Sequence, residues 1–145
     1  PRHPVDVRGG RRIAAYGYGN EFSQVLLNLV NNAREAILAH HVEHGRITVR
    51  AGCVGEWVEL TVGDNGGGIP DDILPKVFDP YFTTKEKGSG IGLYMSKMIV
   101  EGHMGGRVFA HNSGDGAEFV VTIPRGAGKD GQNAVKQPSA PKIGA

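Results

Sequence analysis

Two side-chain amides, Asn28 and Asn32, stand four residues apart in the segment QVLLNLVNNAREAI. On a helix that spacing stacks them one turn apart on one face. Their carbonyl oxygens suit a hard cation such as Mg²⁺. An amide cannot act as a general base. Glu35 falls beside them at the margin of the apolar arc, at about 100° per residue. The same pattern also fits the ordinary polar margin of an amphipathic helix, and these two residues alone do not choose between the readings.

A second segment, DNGGGIP, runs from Asp64 to Pro70 and follows an apolar, β-branched stretch. An aspartate at a strand end can accept a hydrogen bond from an exocyclic amine such as the adenine N6. Gly66, Gly67 and Gly68 would let the backbone approach a flat base, although an Asp-Asn-Gly turn would look the same. Next comes VFDPYFTTK, Val77 to Lys85. Here Phe78 and Phe82 read as hydrophobic pins, and Lys85 as a charge that can meet a phosphate. The run GSGIGL, Gly88 to Leu93, leads into a helix, where free N–H groups and the helix dipole favour an anion. It is no Walker loop, because no GK[ST] follows, and its GxGxG spacing is not the dinucleotide fingerprint. In DGAEFVVTIP, Gly116 fits a tight turn and Phe119 a core strand.

The elements that must hold these groups follow from periodicity. Residues 1–10 read as irregular, Arg11 to Tyr16 as a short strand and Gly17 to Gly19 as a turn. Asn20 is placed as an N-cap, with a helix from Glu21 to about Ala39. On it Val25, Leu26, Leu29, Val30, Ala33, Ala36 and Ile37 share an arc of about 140°. Arg46–Ala51 and Glu56–Val62 form a hairpin. Asp71 to Val77 makes one or two helical turns, limited by Pro75. Ile91 to about Met104 is a second amphipathic helix, stopped by Gly105 and Gly106. Arg107–His111 and Ala117–Ile123 are strands joined by a turn at Asn112 to Gly116. The sum is a two-layer α/β sandwich: a mixed, mostly antiparallel sheet packed against about three helices. Beyond Pro124, residues 125–145 contain few core formers and read as a disordered tail or linker.

Bulk composition narrows the classes. A chain of 145 residues, 39% hydrophobic, makes one soluble domain, assigned to residues 11–124. Net charge is +1, from 16 basic and 15 acidic side chains, which gives no electrostatic case for nucleic acid or a membrane surface. The single Cys53 excludes an internal disulfide and fits a reducing cytoplasm. The start, PRHPVDV, has neither an initiator methionine nor a signal-peptide pattern, and a piece of a longer protein is expected.

Taken in order, the asparagine-bearing helix, DxGxGI, the phenylalanine pair, GxGxGL and GxxF resemble the N box, first glycine box, F box, and second and third glycine boxes of sensor histidine kinases. These belong to the superfamily shared with gyrase, a heat-shock chaperone and a mismatch-repair ATPase, called GHKL or the Bergerat fold. The resemblance covers roughly Arg11 to Pro124. It implies ATP and Mg²⁺ as cofactors and transfer of the γ-phosphoryl group to a histidine in two-component signalling. Asn32 matches the Mg²⁺ ligand, Asn28 its phosphate-side partner, and Asp64 the adenine N6 acceptor. Gly66, Gly68 and Ile69 match the first glycine box. Phe82, Thr83 and Thr84 lead into the lid. Gly88, Ser89, Gly90, Ile91, Gly92 and Leu93 match the lid and phosphate cradle. Lys85 or Lys87 is implied to touch the terminal phosphates, with Asn28 and Lys85 as the catalytic positions.

In the ATP-hydrolysing relatives a glutamate stands where Asn28 is, so the resemblance implies slow hydrolysis here. Tyr81 replaces a common phenylalanine, Ala117 a frequent threonine, and the lid from Lys85 to Gly88 is short. The family's phosphoacceptor box, histidine then acid then proline, is missing. His3 precedes Pro4 without an acidic neighbour. His40, His41 and His44 lack that context too, and His103 and His111 read as structural or exposed. The implied partners are a dimerisation and histidine phosphotransfer domain of the same protein and a downstream response regulator. Without that domain the chain is expected to be monomeric and inactive in autophosphorylation, the cytoplasmic part of its parent. The alternatives are a nucleotide-binding regulatory module without transfer activity, a serine-directed kinase of the superfamily, and an ATPase machine, which Asn28 disfavours.

Overall fold

The computed structural model describes residues 5–8, 19–80 and 92–124. In chain order these form strand β1 (Val5–Arg8), helix α1 (Gly19–Ala39), strands β2 (Ile47–Val54) and β3 (Trp57–Asp64), and a 3₁₀ turn (Leu74–Lys76). Helix α2 (Gly92–Lys97) follows and continues as a π-helix (Met98–His103), then strands β4 (Arg107–Ser113) and β5 (Gly116–Pro124). The sheet order is β1-β2-β3-β5-β4. Only β1–β2 is parallel; the other pairs are antiparallel.

Period-2 alternation builds one apolar face. Val58, Leu60 and Val62 of β3 and Ala117, Phe119, Val121 and Ile123 of β5 enter a single core with Ile47 and Val108. Helix α1 covers this face with Val25, Leu29, Ala33 and Ile37, each fully or almost fully buried. Leu26, Val30 and Phe22 pack at the margins. These are the i, i+4 positions of the arc seen in the sequence. Burial of each large side chain contributes about 1.5–3 kcal/mol. Val100 and Met104 close the same core from the π-helical side. Phe78 stands edge-on to Phe119, with ring centroids 5.9 Å apart, so the first of the two phenylalanine pins is in place.

Several expectations shift. Residues 1–10 are not irregular throughout: Val5–Arg8 pairs with Ile47–Arg50. That pairing spans about forty residues of sequence, and a four-residue run carries too little local pattern to reveal it. Helix α1 begins at Gly19, one residue before the expected cap at Asn20. Both hairpins are longer than read, because each closes through two residues led by a glycine at φ +59°, Gly55 and Gly114. Asn112 is therefore a β4 residue, not a turn residue. The second helix is π-helical over its latter half, where the Met104 N–H reaches the Ile99 carbonyl at 3.0 Å. Apolar spacing at i, i+4 and i+5 does not distinguish α from π. Gly105 ends it at φ +67°, as expected. The Arg11–Tyr16 strand and the segment after Pro124 lie outside the described residues.

Candidate functional site

Asp64 ends β3 two residues beyond Val62, opposite Ile47. Its Oδ1 accepts from the Gly66 N–H at 2.8 Å and the Ala117 N–H at 3.4 Å. Both bonds fall on one oxygen, which leaves Oδ2 as the acceptor they do not use. Burial pushes this carboxyl above the ordinary carboxylate range. The Gly66 and Ala117 bonds and the nearby His40 pull it down, and Asp115 pushes it up. The two amide bonds fix the carboxylate plane, so the second oxygen has a set direction.

The glycines after Asp64 serve protein neighbours. A Cβ on Gly66 would lie 3.0 Å from the backbone of Ala36 and Ile37 on α1. Gly67, at φ +98°, lies under the His40 ring, and a Cβ on Gly68 would meet Asn112 Oδ1 at 3.1 Å. Asn112 then clamps the loop: its Oδ1 accepts from the Ile69 N–H and its Nδ2 donates to the Ile69 carbonyl, each at 2.7 Å. At the loop's other end Asn65 does likewise, accepting from the Arg46 N–H at 2.7 Å and donating to the His44 carbonyl at 2.8 Å. Gly116 packs directly on the Asp64 carbonyl, with no room for a Cβ. Asp64 is thus held by α1, the β2 entry and the β4–β5 hairpin together.

On α1, Asn28 turns toward α2. Its Nδ2 donates to the Gly92 carbonyl at 3.2 Å and to Ser96 Oγ at 3.1 Å. Its Oδ1 accepts from Gln24 Nε2 at 2.9 Å. Asn32, one turn along, is half-buried and hydrogen-bonded or otherwise engaged; Glu35 is exposed and likewise engaged. Leu93 packs against the core. Phe82, Thr83, Thr84, Lys85, Lys87, Gly88, Ser89, Gly90 and Ile91 lie outside the described residues. Lys97 stands 5.8 Å from the Phe78 ring centroid.

Neither Asn112 nor Ser96 was singled out from the sequence. An asparagine beside a turn and a serine on an amphipathic helix carry no local mark, because their partners lie 43 and 68 residues away. His103 and His111 are structural or exposed as expected. His103 meets Glu21 at 3.0 Å, and His111 meets Glu118 at 3.3 Å. Among the described residues no cluster of three His, Cys, Asp or Glu side chains is placed to hold a metal. The side chains matched to a cation here, Asn28 and Asn32, offer amide oxygens. That fits Mg²⁺, which keeps most of its water and takes substrate phosphates with few protein ligands. No helix of the described residues is long and apolar enough to cross a membrane.

The mixed, mostly antiparallel sheet under one long helix is the α/β fold of histidine kinase catalytic domains. The chain belongs to the family described as histidine kinase-, DNA gyrase B- and HSP90-like ATPase, whose model matches residues 17–127. Within that family it is a catalytic domain of the sensor histidine kinase type. It is 42% identical over 134 residues to the two-component sensor PprA of Pseudomonas aeruginosa, covering 87% of this chain and 14% of that protein. It is 44% identical over 105 residues to the sensor histidine kinase ZraS of Escherichia coli O157:H7, covering 72% of this chain and 22% of that one. The catalytic domain of the histidine kinase ThkA, solved nucleotide-free, superposes with a TM-score of 0.73 at 31% identity, over 83% of this chain and 79% of that one. The chain thus spans under a quarter of the length of these curated relatives.

Proposed function

We propose that this domain binds Mg-ATP and passes the γ-phosphoryl group to a histidine on a dimerisation domain outside the chain, for relay to a response regulator. The observation that carries the reading is Asp64, with one oxygen bound by two backbone N–H groups and the other left to accept from the adenine N6 amine. Asn32 would hold Mg²⁺ through its amide oxygen, and the cation would supply charge neutralisation at the phosphates. Asn28 stands beside it, the Gly66 and Gly68 loop walls the base, and the segment from Lys85 to Gly92 takes the phosphates. Lys85 or Lys87 adds a point charge there. Since Asn28 cannot deprotonate water, the γ-phosphoryl group is kept for transfer, and the rate comes from positioning and charge neutralisation. The domain is the cytoplasmic, monomeric part of its parent and does not engage nucleic acid.

The test mixes this chain with a separately made dimerisation helix pair and ATP labelled on the γ-phosphate. Label on the helix pair that is lost in acid and stable in base is the expected result. Acid-stable label would mean a serine-directed kinase. No label, with nucleotide still bound, would mean a regulatory nucleotide module.

A further inference from the structure

An asparagine amide has both a donor and an acceptor to offer. In this molecule the donor end is already committed. Both Nδ2 hydrogens point at α2, one toward the Gly92 carbonyl at 3.2 Å and one toward Ser96 Oγ at 3.1 Å. A backbone carbonyl only accepts, so the nitrogen and not the oxygen must face Gly92. The Ser96 hydroxyl donates its single hydrogen to that same carbonyl at 3.0 Å. Its oxygen is therefore obliged to accept from Asn28. Ser96 is fully buried, at 0% exposure, so its hydroxyl is shielded from water. What Asn28 presents away from α2 is Oδ1, which among the described residues accepts from the exposed Gln24 amide at 2.9 Å.

We infer that Ser96, acting with the Gly92 carbonyl, is a positioning residue that holds both hydrogens of the Asn28 amide toward α2, so that Asn28 offers an oxygen to the hydrated cation rather than an N–H to a phosphate. This rests on the Mg-ATP reading above. A water bound to Mg²⁺ is a hydrogen-bond donor and matches Oδ1; a phosphate oxygen is an acceptor and is repelled by it. Gln24, being exposed, gives way to the incoming water. Ser96 is therefore coupled to the cation and not to the base or the phosphates.

Two readouts on the intact chain test this. The first is the Asn28 side-chain NH₂ signal in a ¹⁵N–¹H spectrum without nucleotide, identified by its loss in Asn28→Ala. In the wild type its hydrogens should exchange slowly, and in Ser96→Ala the signal should move and exchange faster. The second is calorimetric affinity for a non-hydrolysable ATP analogue with and without Mg²⁺. Ser96→Ala should weaken binding about fivefold with Mg²⁺ and less than about twofold without it, the size of one lost hydrogen bond. An unmoved Asn28 signal overturns the positioning role whatever the nucleotide does. Equal losses with and without Mg²⁺ overturn it as well, since a merely structural serine would act on both. A wild-type chain that binds no analogue defeats the Mg-ATP reading instead, and the spectrum alone then decides whether Ser96 orients the amide.

Discussion

Gly116→Ala is expected to lower stability by about 3 kcal/mol or more, read as a shift in the urea unfolding midpoint. The added methyl has nowhere to go. It would fall on the carbonyl of Asp64 and within 2.9 Å of the Asn65 Cα, and neither is a flexible side chain that can turn aside. The β4–β5 hairpin would have to lift from the β3 end, which would also loosen the Ala117 N–H bond to Asp64. Gly52→Ala is the control. That residue is also on a strand, has nothing within 4 Å, and has no positive φ. Its effect should stay within about 0.5 kcal/mol. Equal effects at the two positions would contradict the packing described.

Asp64→Ala is expected to weaken binding of an ATP analogue by about 10- to 100-fold, or roughly 1.5–3 kcal/mol for a charge-assisted bond. The fold should suffer less. Removing the carboxylate strands the Gly66 and Ala117 donors but also ends the burial of a charge, and burial is the largest influence on this carboxyl. Asp64→Asn separates recognition from folding. Its oxygen can keep the Gly66 and Ala117 bonds, which puts an NH₂ where Oδ2 stood. That group faces the adenine amine donor to donor. Asparagine should therefore spare stability and still lose the analogue. If Asp64→Asn binds like wild type, the base is not read by this side chain.

The sheet, the long helix and the order of motifs were legible because each repeats a local period. The positions Val25, Leu29, Ala33 and Ile37 announce their own face, Val58, Leu60 and Val62 alternate along β3, and β5 reads as a strand from its continuous run of β-branched and aromatic residues, buried from Phe119 to Ile123. The place of Asp64 at the end of β3 was legible because a carboxylate closing an apolar run before glycines is a local pattern. Strand β1, the Asn112 clamp and Ser96 were not, because each is defined by a partner far along the chain. The glycines show the limit in another way. Their spacing was plain, yet Gly66 and Gly68 face α1 and Asn112, neighbours that only the tertiary fold supplies. The π-helical turn escaped for a third reason, since the same apolar positions serve an α-helix equally well.

The central claim is that Asp64 reads adenine. Guanine carries a carbonyl O6 where adenine carries its N6 amine, so it would set an acceptor against Oδ2. The most direct test is calorimetric titration of the unmodified chain with non-hydrolysable ATP and GTP analogues, in Mg²⁺. The ATP analogue should bind, and the GTP analogue should bind at least about 100-fold more weakly, as expected when an acceptor enclosed by the base is left unpaired. Equal affinity for the two, or binding of neither, would contradict the claim.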